Sequence, residues 1–341
     1  VLSRRGLLGA MLAGVALPAW GEVMERSPRP RTRGQVAGRG NVSDAARLVA
    51  AAELSGTVGY VVADAATGAV LEAREENAPL PPASVTKAVT ALYAMERLGA
   101  GRRFSTRLLA TGPLSGGIVQ GDLVLAGGGD PTLQTDQLGD LAARLAKRGV
   151  KGVSGRFLFW EGALPCQPRV AEDQPDHVGY NPAISGLNLN FNRVHFEWKK
   201  AGADWSIAMD ARGERFVPRV SMIGMAVAKR ESPLFTWKGA ATREDWTVAS
   251  SALGKGGSRW LPVRLPGLYS AEVFRTLALA QGIALPEPQA AAALPAGDEL
   301  ARAESEALPE LLRAMLRFST NITAECAGLA ASGAAAACGS G

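Results

Sequence analysis

Two histidines, His177 and His195, are all that 341 residues contain. A Ser-His-Asp hydrolase would have to draw its base from one of them. His177 sits in the polar stretch EDQPDHVGY and His195 in the polar phase of an alternating segment. No Gly-x-Ser-x-Gly elbow occurs either, so both read as ordinary surface histidines. The cysteines, Cys166, Cys326 and Cys338, are odd in number and form no Cys-x-x-Cys pair, which removes the usual zinc spacings. Cys326 and Cys338 are close enough in sequence to pair, but buried or free thiols are the expectation. Positive charge is scarce where it would matter: of the net +5, residues 1–21 carry +2 and residues 22–39 carry +3, leaving residues 40–341 neutral. A neutral body has no electrostatic footprint for nucleic acid. GGGDPT lacks a following Gly-Lys-Ser/Thr and is a structural turn rather than a phosphate loop. Long apolar runs are missing too. The longest, Gly6 to about Trp20, is broken by Pro18 and falls short of the ~20 residues that span a bilayer.

What is present is globular: 47% hydrophobic and 20% charged residues, with 40 Gly and 20 Pro implying many turns. The opening VLSRRGLLGAMLAGVALPAWGEV has an arginine pair, an apolar stretch and small residues near Ala19 and Gly21. That is the anatomy of a secretory signal over residues 1–21, and Ser3-Arg4-Arg5 before Leu7-Leu8 resembles a twin-arginine signal. Residues 22–44 read as a basic, solvated linker. An exported, periplasmic protein with no membrane span in its mature chain is expected.

GTVGYVVADAATGAVLEAREEN reads as a β-hairpin turning at Ala65 to Gly68. After Pro81-Pro82 a helix is predicted with apolar residues at 85, 88, 89, 92 and 95, a single stripe facing a core, stopped by Gly99. GDLVLAGGGDPTL is a short strand entering a glycine turn, Gln134 to Gly149 a helix, and VSGRFLFW a strand. GLNLNFNRVHFEW alternates as a half-buried strand with a bulge near Asn192-Arg193, where the apolar phase flips. Helices return at SAEVFRTLALAQGI, with Ser270 as cap and Gly282 as stop, at PELLRAMLRF, and after STN. The pattern is a discontinuous domain, residues 45–104 and 265–341, around a mostly β inserted part, residues 105–264.

Ser84 and Lys87 stand three apart at the start of the helix after the prolines. Positions i and i+3 share a helix face, so the amine can reach the hydroxyl. To act as a base the lysine must be neutral, which burial or a second cation achieves. The helix N-terminus disfavours the ammonium and favours developing negative charge. A capping serine beside a solvated lysine is the plain alternative. Chance supplies about 0.5 Ser-x-x-Lys pairs in such a composition, so the pair alone is a weak signal. Ser319-Thr320-Asn321, the single Ser-x-Asn in the chain, offers a second hydroxyl and a carboxamide on a loop between helices. An ordinary turn is its plain alternative.

Together these residues resemble the low-molecular-mass (class C) penicillin-binding proteins of the D-alanyl-D-alanine carboxypeptidase/endopeptidase family, whose signature is Ser-x-x-Lys, Ser-x-Asn and Lys-Thr-Gly. GDLVLAGGGDPTL, YNPAISGLNLNFNRV and the 235 residues between Ser84 and Ser319 also look like that family, and the resemblance runs from about residue 45 to 332. It implies an α/β (α+β) transpeptidase domain, an antiparallel sheet flanked by helices with a large mostly β insertion. It implies Ser84 as nucleophile on D-Ala-D-Ala stem peptides of peptidoglycan, Lys87 as general base, Ser319 as proton relay and Asn321 as a ligand of the substrate amide. It further implies acylation by β-lactams, and no metal or cofactor. The third motif is absent, and twenty residues follow Asn321, so an incomplete copy of the family, lacking the C-terminal part of its main domain, is expected. The rival readings are a non-catalytic envelope protein that binds peptidoglycan or a partner, and a β-lactamase, which the long insertion disfavours.

Overall fold

The computed structural model describes residues 42–333, which divide at Pro81/Pro82 into two compact units. The signal peptide expected over residues 1–21 and most of the linker over residues 22–44 lie outside the described residues. The linker's last three residues are helical, because helix α1 spans Val42–Ala51. The rest of this first unit is a hairpin of β1 (Tyr60–Ala63) and β2 (Val70–Arg74), antiparallel with Tyr60 opposite Arg74 and an irregularity after Val62. Its turn is held by Asp64, whose carboxylate accepts the N–H groups of Ala66 and Thr67 and the Thr67 hydroxyl, and Gly68 supplies the positive φ of 73°.

The second unit begins with a 3₁₀ turn, Ala83–Val85, that runs straight into α2 (Thr86–Leu98), ended by Gly99 at φ 78°. The predicted apolar stripe meets a core only at Met95. Val85, Val89 and Leu92 are exposed, at 75%, 66% and 72%, and the buried residues are Ala91 and Ala94. This face is chosen by close approach. Ala91 and Ala94 pack with Ala324, Ala327 and Ala331 and with Leu308, Leu311, Leu312 and Met315 of two later helices, α5 (Leu308–Phe318) and α6 (Asn321–Ala331). Small residues let helix axes approach, which the bulkier stripe would prevent.

Between α2 and α5 the chain builds most of its β structure. A five-stranded sheet has the order β15-β8-β6-β3-β16, from β3 (Ser105–Ala110), β6 (Leu123–Gly127), β8 (Phe157–Trp160), β15 (Pro288–Ala290) and β16 (Asp298–Glu304). It is mixed: β6 and β8 are parallel, as are β8 and β15, while β3 runs against β6 and β16. Helices α3 (Thr135–Lys147) and α4 (Pro266–Ala280) contribute to the same core, where Phe157 and Phe274 lie 5.7 Å apart. Smaller strands β4 (Leu114–Ser115), β5 (Ile118–Val119) and β7 (Gly152–Val153) edge it. Two three-stranded sheets follow. One has the order β10-β9-β14, from β9 (Arg193–Ala201), β10 (Asp204–Asp210) and β14 (Gly256–Pro262). The other, β11-β13-β12, is made of β11 (Ile223–Ala228), β12 (Phe235–Ala240) and β13 (Arg243–Ala249).

Residues 266–304 add α4, β15 and β16 to the core and sheet built by β3, β6 and β8. Two expectations are corrected here. Ser270 does not cap α4. It lies one turn inside, its hydroxyl donating to the Pro266 carbonyl at 2.8 Å, and the buried Glu244 carboxylate from β13 accepts the N–H groups of Arg264 and Leu265 just ahead of the helix. Finally, the strand predicted through GLNLNFNR starts at Arg193. Asn190, Phe191 and Asn192 all have positive φ (52°, 58° and 50°), a conformation asparagine tolerates. The asparagine side chains replace the missing ladder: Asn192 binds the Leu189 N–H and the Ala183 carbonyl, and Asn190 accepts the Thr135 N–H at the start of α3. Polar residues alternating with leucine here are buried loop-builders, not the wet face of a strand. A Cβ on Gly127 would collide with the Gly186 carbonyl, so the close seat of this loop on β6 requires glycine.

Candidate active site

Ser84 lies in the 3₁₀ turn ahead of α2, after Ala83, whose φ of 45° is in the left-handed region. It does not cap the helix: the N-cap position is Val85, and no side chain bonds there. Its hydroxyl instead meets two side chains. Lys87, one helical step of three further on, places Nζ 3.2 Å from Ser84 Oγ, and Ser319 donates its hydroxyl to Ser84 Oγ at 2.7 Å. Ser319 reaches across because α5 stops there. Its own φ and ψ, 55° and 39°, are left-handed and turn the chain out of one helix and into the next. Thr320 is the N-cap of α6 and Asn321 its first residue. The Asn321 carboxamide spans the site, accepting from Lys87 Nζ at Oδ1 (2.8 Å) and donating from Nδ2 to the Tyr180 carbonyl (3.0 Å). All four residues singled out in the sequence are therefore in one hydrogen-bonded group, with Ser84 and Ser319 open to solvent.

Burial lowers the pKa of Lys87, and the Glu325 carboxylate pulls it back up. Glu325 follows Asn321 by four residues on α6 and so shares its face. Its own pKa is raised by burial and lowered by Lys87. A neutral Lys87 amine can accept the Ser84 proton across the same 3.2 Å contact that an ammonium would donate through. Ser319 then offers a second hydroxyl for onward transfer. Sequence reasoning missed Glu325 and the Tyr180 carbonyl. The first was legible from i, i+4 spacing after Asn321. The second is a backbone group and carries no side-chain signal.

The histidines take no part in this group among the described hydrogen bonds. His177 stacks on Phe235 with centroids 5.2 Å apart. His195, expected at the surface, is buried edge-on to Trp260, with Nδ1 3.6 Å from Asp210 Oδ1. His195, Glu197 and Asp210 lie close enough to suggest a metal site. The Arg212 guanidinium, however, bonds both carboxylates, at 2.8 Å and 3.0 Å, and already offsets one of their two charges. Of the cysteines, Cys166 is disulfide-bonded, contrary to the expectation of free or buried thiols. Cys326 is a free thiol buried on α6, which removes the Cys326–Cys338 pairing, and Cys338 lies outside the described residues. No helix of the described residues is long and apolar enough to cross a membrane.

The fold is similar to that of penicillin binding protein 4 from Haemophilus influenzae. The TM-score is 0.70 at 22% identity, covering 85% of this chain and 65% of that one. The β-lactam complex of the same protein gives a TM-score of 0.65 at 23% identity, over 84% and 63% of the two chains. In sequence, a D-alanyl-D-alanine carboxypeptidase of Actinomadura sp. is 34% identical over 193 residues, 55% of this chain and 32% of that protein. A carboxypeptidase of Mycobacterium tuberculosis is 33% identical over 166 residues, 42% of this chain and 33% of that protein. The chain thus spans about a third of these two curated relatives in the matched stretches. The model of the D-Ala-D-Ala carboxypeptidase 3 (S13) family matches residues 42–340, and the chain belongs to that family.

Proposed function

We propose that this chain acts through Ser84 as an exported serine-type D-Ala-D-Ala carboxypeptidase/endopeptidase on peptidoglycan stem peptides. The observation that carries the reading is the placement of Ser84 Oγ between Lys87 Nζ and Ser319 Oγ, with Ser84 and Ser319, 235 residues apart in the chain, brought within hydrogen-bond reach. Neutral Lys87 takes the Ser84 proton as Oγ attacks the carbonyl carbon of the penultimate D-alanine. The proton passes through Ser319 to the nitrogen of the departing D-alanine, the C–N bond breaks, and an ester to Ser84 remains. The Ser84 backbone N–H supplies one oxyanion donor, and water then cleaves the ester. Asn321 receives the substrate's backbone amide. A β-lactam opened by the same attack leaves a stable acyl-enzyme. In this reading residues 105–304 are an insertion within the serine-peptidase domain, and residues 1–21 direct export.

A second reading has one observation in its favour: no Lys/His-Thr/Ser-Gly motif occurs in the sequence. In it, the fold is retained in the envelope for binding peptidoglycan or a partner, without turnover. Fluorescent penicillin separates the two. Acylation of the chain, abolished by Ser84→Ala while the variant keeps its melting temperature, is the result expected of the enzyme. Correctly folded protein that takes up no label at millimolar penicillin supports the binding protein instead.

A further inference from the structure

The Asn321 carboxamide is aimed by something outside the helices that carry Ser84 and Ser319. Its Nδ2 donates to the Tyr180 carbonyl, and that carbonyl belongs to a segment, residues 167–181, without regular structure of its own. The peptide unit joining Tyr180 to Asn181 is nevertheless tightly defined. The Asn181 N–H is bonded to the Val178 carbonyl at 3.0 Å, and in a trans peptide the C=O points the opposite way from the N–H. The Tyr180 oxygen is thereby turned toward Asn321. The Asn181 side chain pins the other side of the loop, exchanging bonds with the Ala171 N–H and carbonyl at 2.8 and 2.9 Å.

The anchor of the whole loop is Arg264, a buried residue between β14 and α4. Its guanidinium donates to three loop carbonyls: Asn181 at 2.5 Å and Pro168 at 3.2 Å from Nη1, and Asp176 at 2.9 Å from Nη2. Arg264 is itself fixed from behind. The carboxylate of Glu244, fully buried on β13, accepts the Arg264 and Leu265 N–H groups and the Trp237 indole N–H, at 2.8, 2.9 and 3.0 Å. A planar fork with several donors in fixed directions is what three carbonyls at different points of one loop demand; a lysine ammonium cannot span them.

We infer that Arg264 is a positioning residue for the reaction: by clamping residues 168–181 from the β-rich middle, it fixes the Tyr180 carbonyl, which orients Asn321 and through it Lys87. This rests on the reading of Ser84, Lys87 and Asn321 given above. The clamp assigns the middle of the chain a part in the site that neither motif carries. Without it the carboxamide is free to rotate, and Lys87 loses the 2.8 Å partner that holds its amine near Ser84.

The test is a double-mutant cycle in the full chain with Arg264→Lys and Asn321→Ala, read by the rate of penicillin acylation and by the Asn321 side-chain NH₂ resonances in NMR. Arg264→Lys is expected to slow acylation about tenfold, and to slow it no further once Asn321 is alanine, because groups acting through one another are not additive. It is also expected to shift the Asn321 NH₂ pair and bring its two proton shifts closer together. Multiplicative effects, or an Asn321 NH₂ pair unmoved in a folded Arg264→Lys protein, overturn the inference. If Arg264→Lys does not fold, Asn181→Ala loosens the same loop from its other side and must move the same resonances. A wild-type chain that is never acylated defeats the enzymatic reading, whereas the Asn321 resonances still decide the clamp.

Discussion

Ser319 combines two physical demands in one residue, and they can be pulled apart. Its hydroxyl donates to Ser84 Oγ, while its backbone, at φ 55° and ψ 39°, occupies the left-handed region that disfavours any residue with a Cβ. That conformation costs roughly 1–2 kcal/mol for an ordinary L-residue, and glycine escapes it at the expense of about 0.5–1 kcal/mol of extra chain entropy in the unfolded state. Ser319→Ala and Ser319→Gly remove the same hydroxyl, so their difference isolates the backbone. The glycine variant should be the more stable by about 0.5–1 kcal/mol, or roughly 1–4 °C in melting temperature for a protein of this size. Both should lose proton relay, slowing acylation by about 10²-fold or more. Thermal unfolding followed by circular dichroism, paired with stopped-flow penicillin acylation, reads both effects. Two results refute the reasoning: glycine no more stable than alanine, which removes the strain, or either variant acylating at the wild-type rate, which removes the relay. A residue held in a costly conformation at the junction of two helices, with its side chain on a nucleophile, is how strain collects at a working site.

The neutral amine is the active form of Lys87, so acylation should rise with pH through its lowered pKa and level off above it. Glu325→Gln removes the carboxylate that favours the ammonium, and should move that rise to lower pH, whereas an unchanged or upward midpoint contradicts the assignment. Glu244→Ala strips acceptors from one buried and two partly buried N–H groups and leaves the Arg264 charge without its neighbour. Urea denaturation should report a loss of about 3–5 kcal/mol, and a loss under about 1 kcal/mol would show that the carboxylate is not the anchor described.

The parts legible in the sequence are those decided within a turn or two of chain. Ser84 and Lys87 are neighbours because a helix brings i and i+3 together, and the hairpin closes at Asp64 to Gly68 because an aspartate and a glycine suit that turn. The same local logic located α3, the proline start of α5 and the entry into α6 after Ser319-Thr320. It went astray wherever a distant element set the answer. The stripe of Val85, Val89 and Leu92 has helical spacing, but which face of α2 is covered depends on α5 and α6, and these select alanines. Asparagines alternating with leucines looked like a strand, because nothing local says that Asn192 will find the Ala183 carbonyl or that Asn190 will meet Thr135.

What the sequence alone determined is therefore the chemistry on offer: a serine with a lysine one turn away, and a second serine with a carboxamide two residues on. Only the tertiary structure decided that these two pieces meet, that burial holds Lys87 below its ordinary pKa, and that a backbone oxygen at Tyr180 aims Asn321. The physical reason is range. Helix spacing and turn preference act over a few residues, while desolvation and the meeting of groups more than two hundred residues apart exist only once the chain has packed.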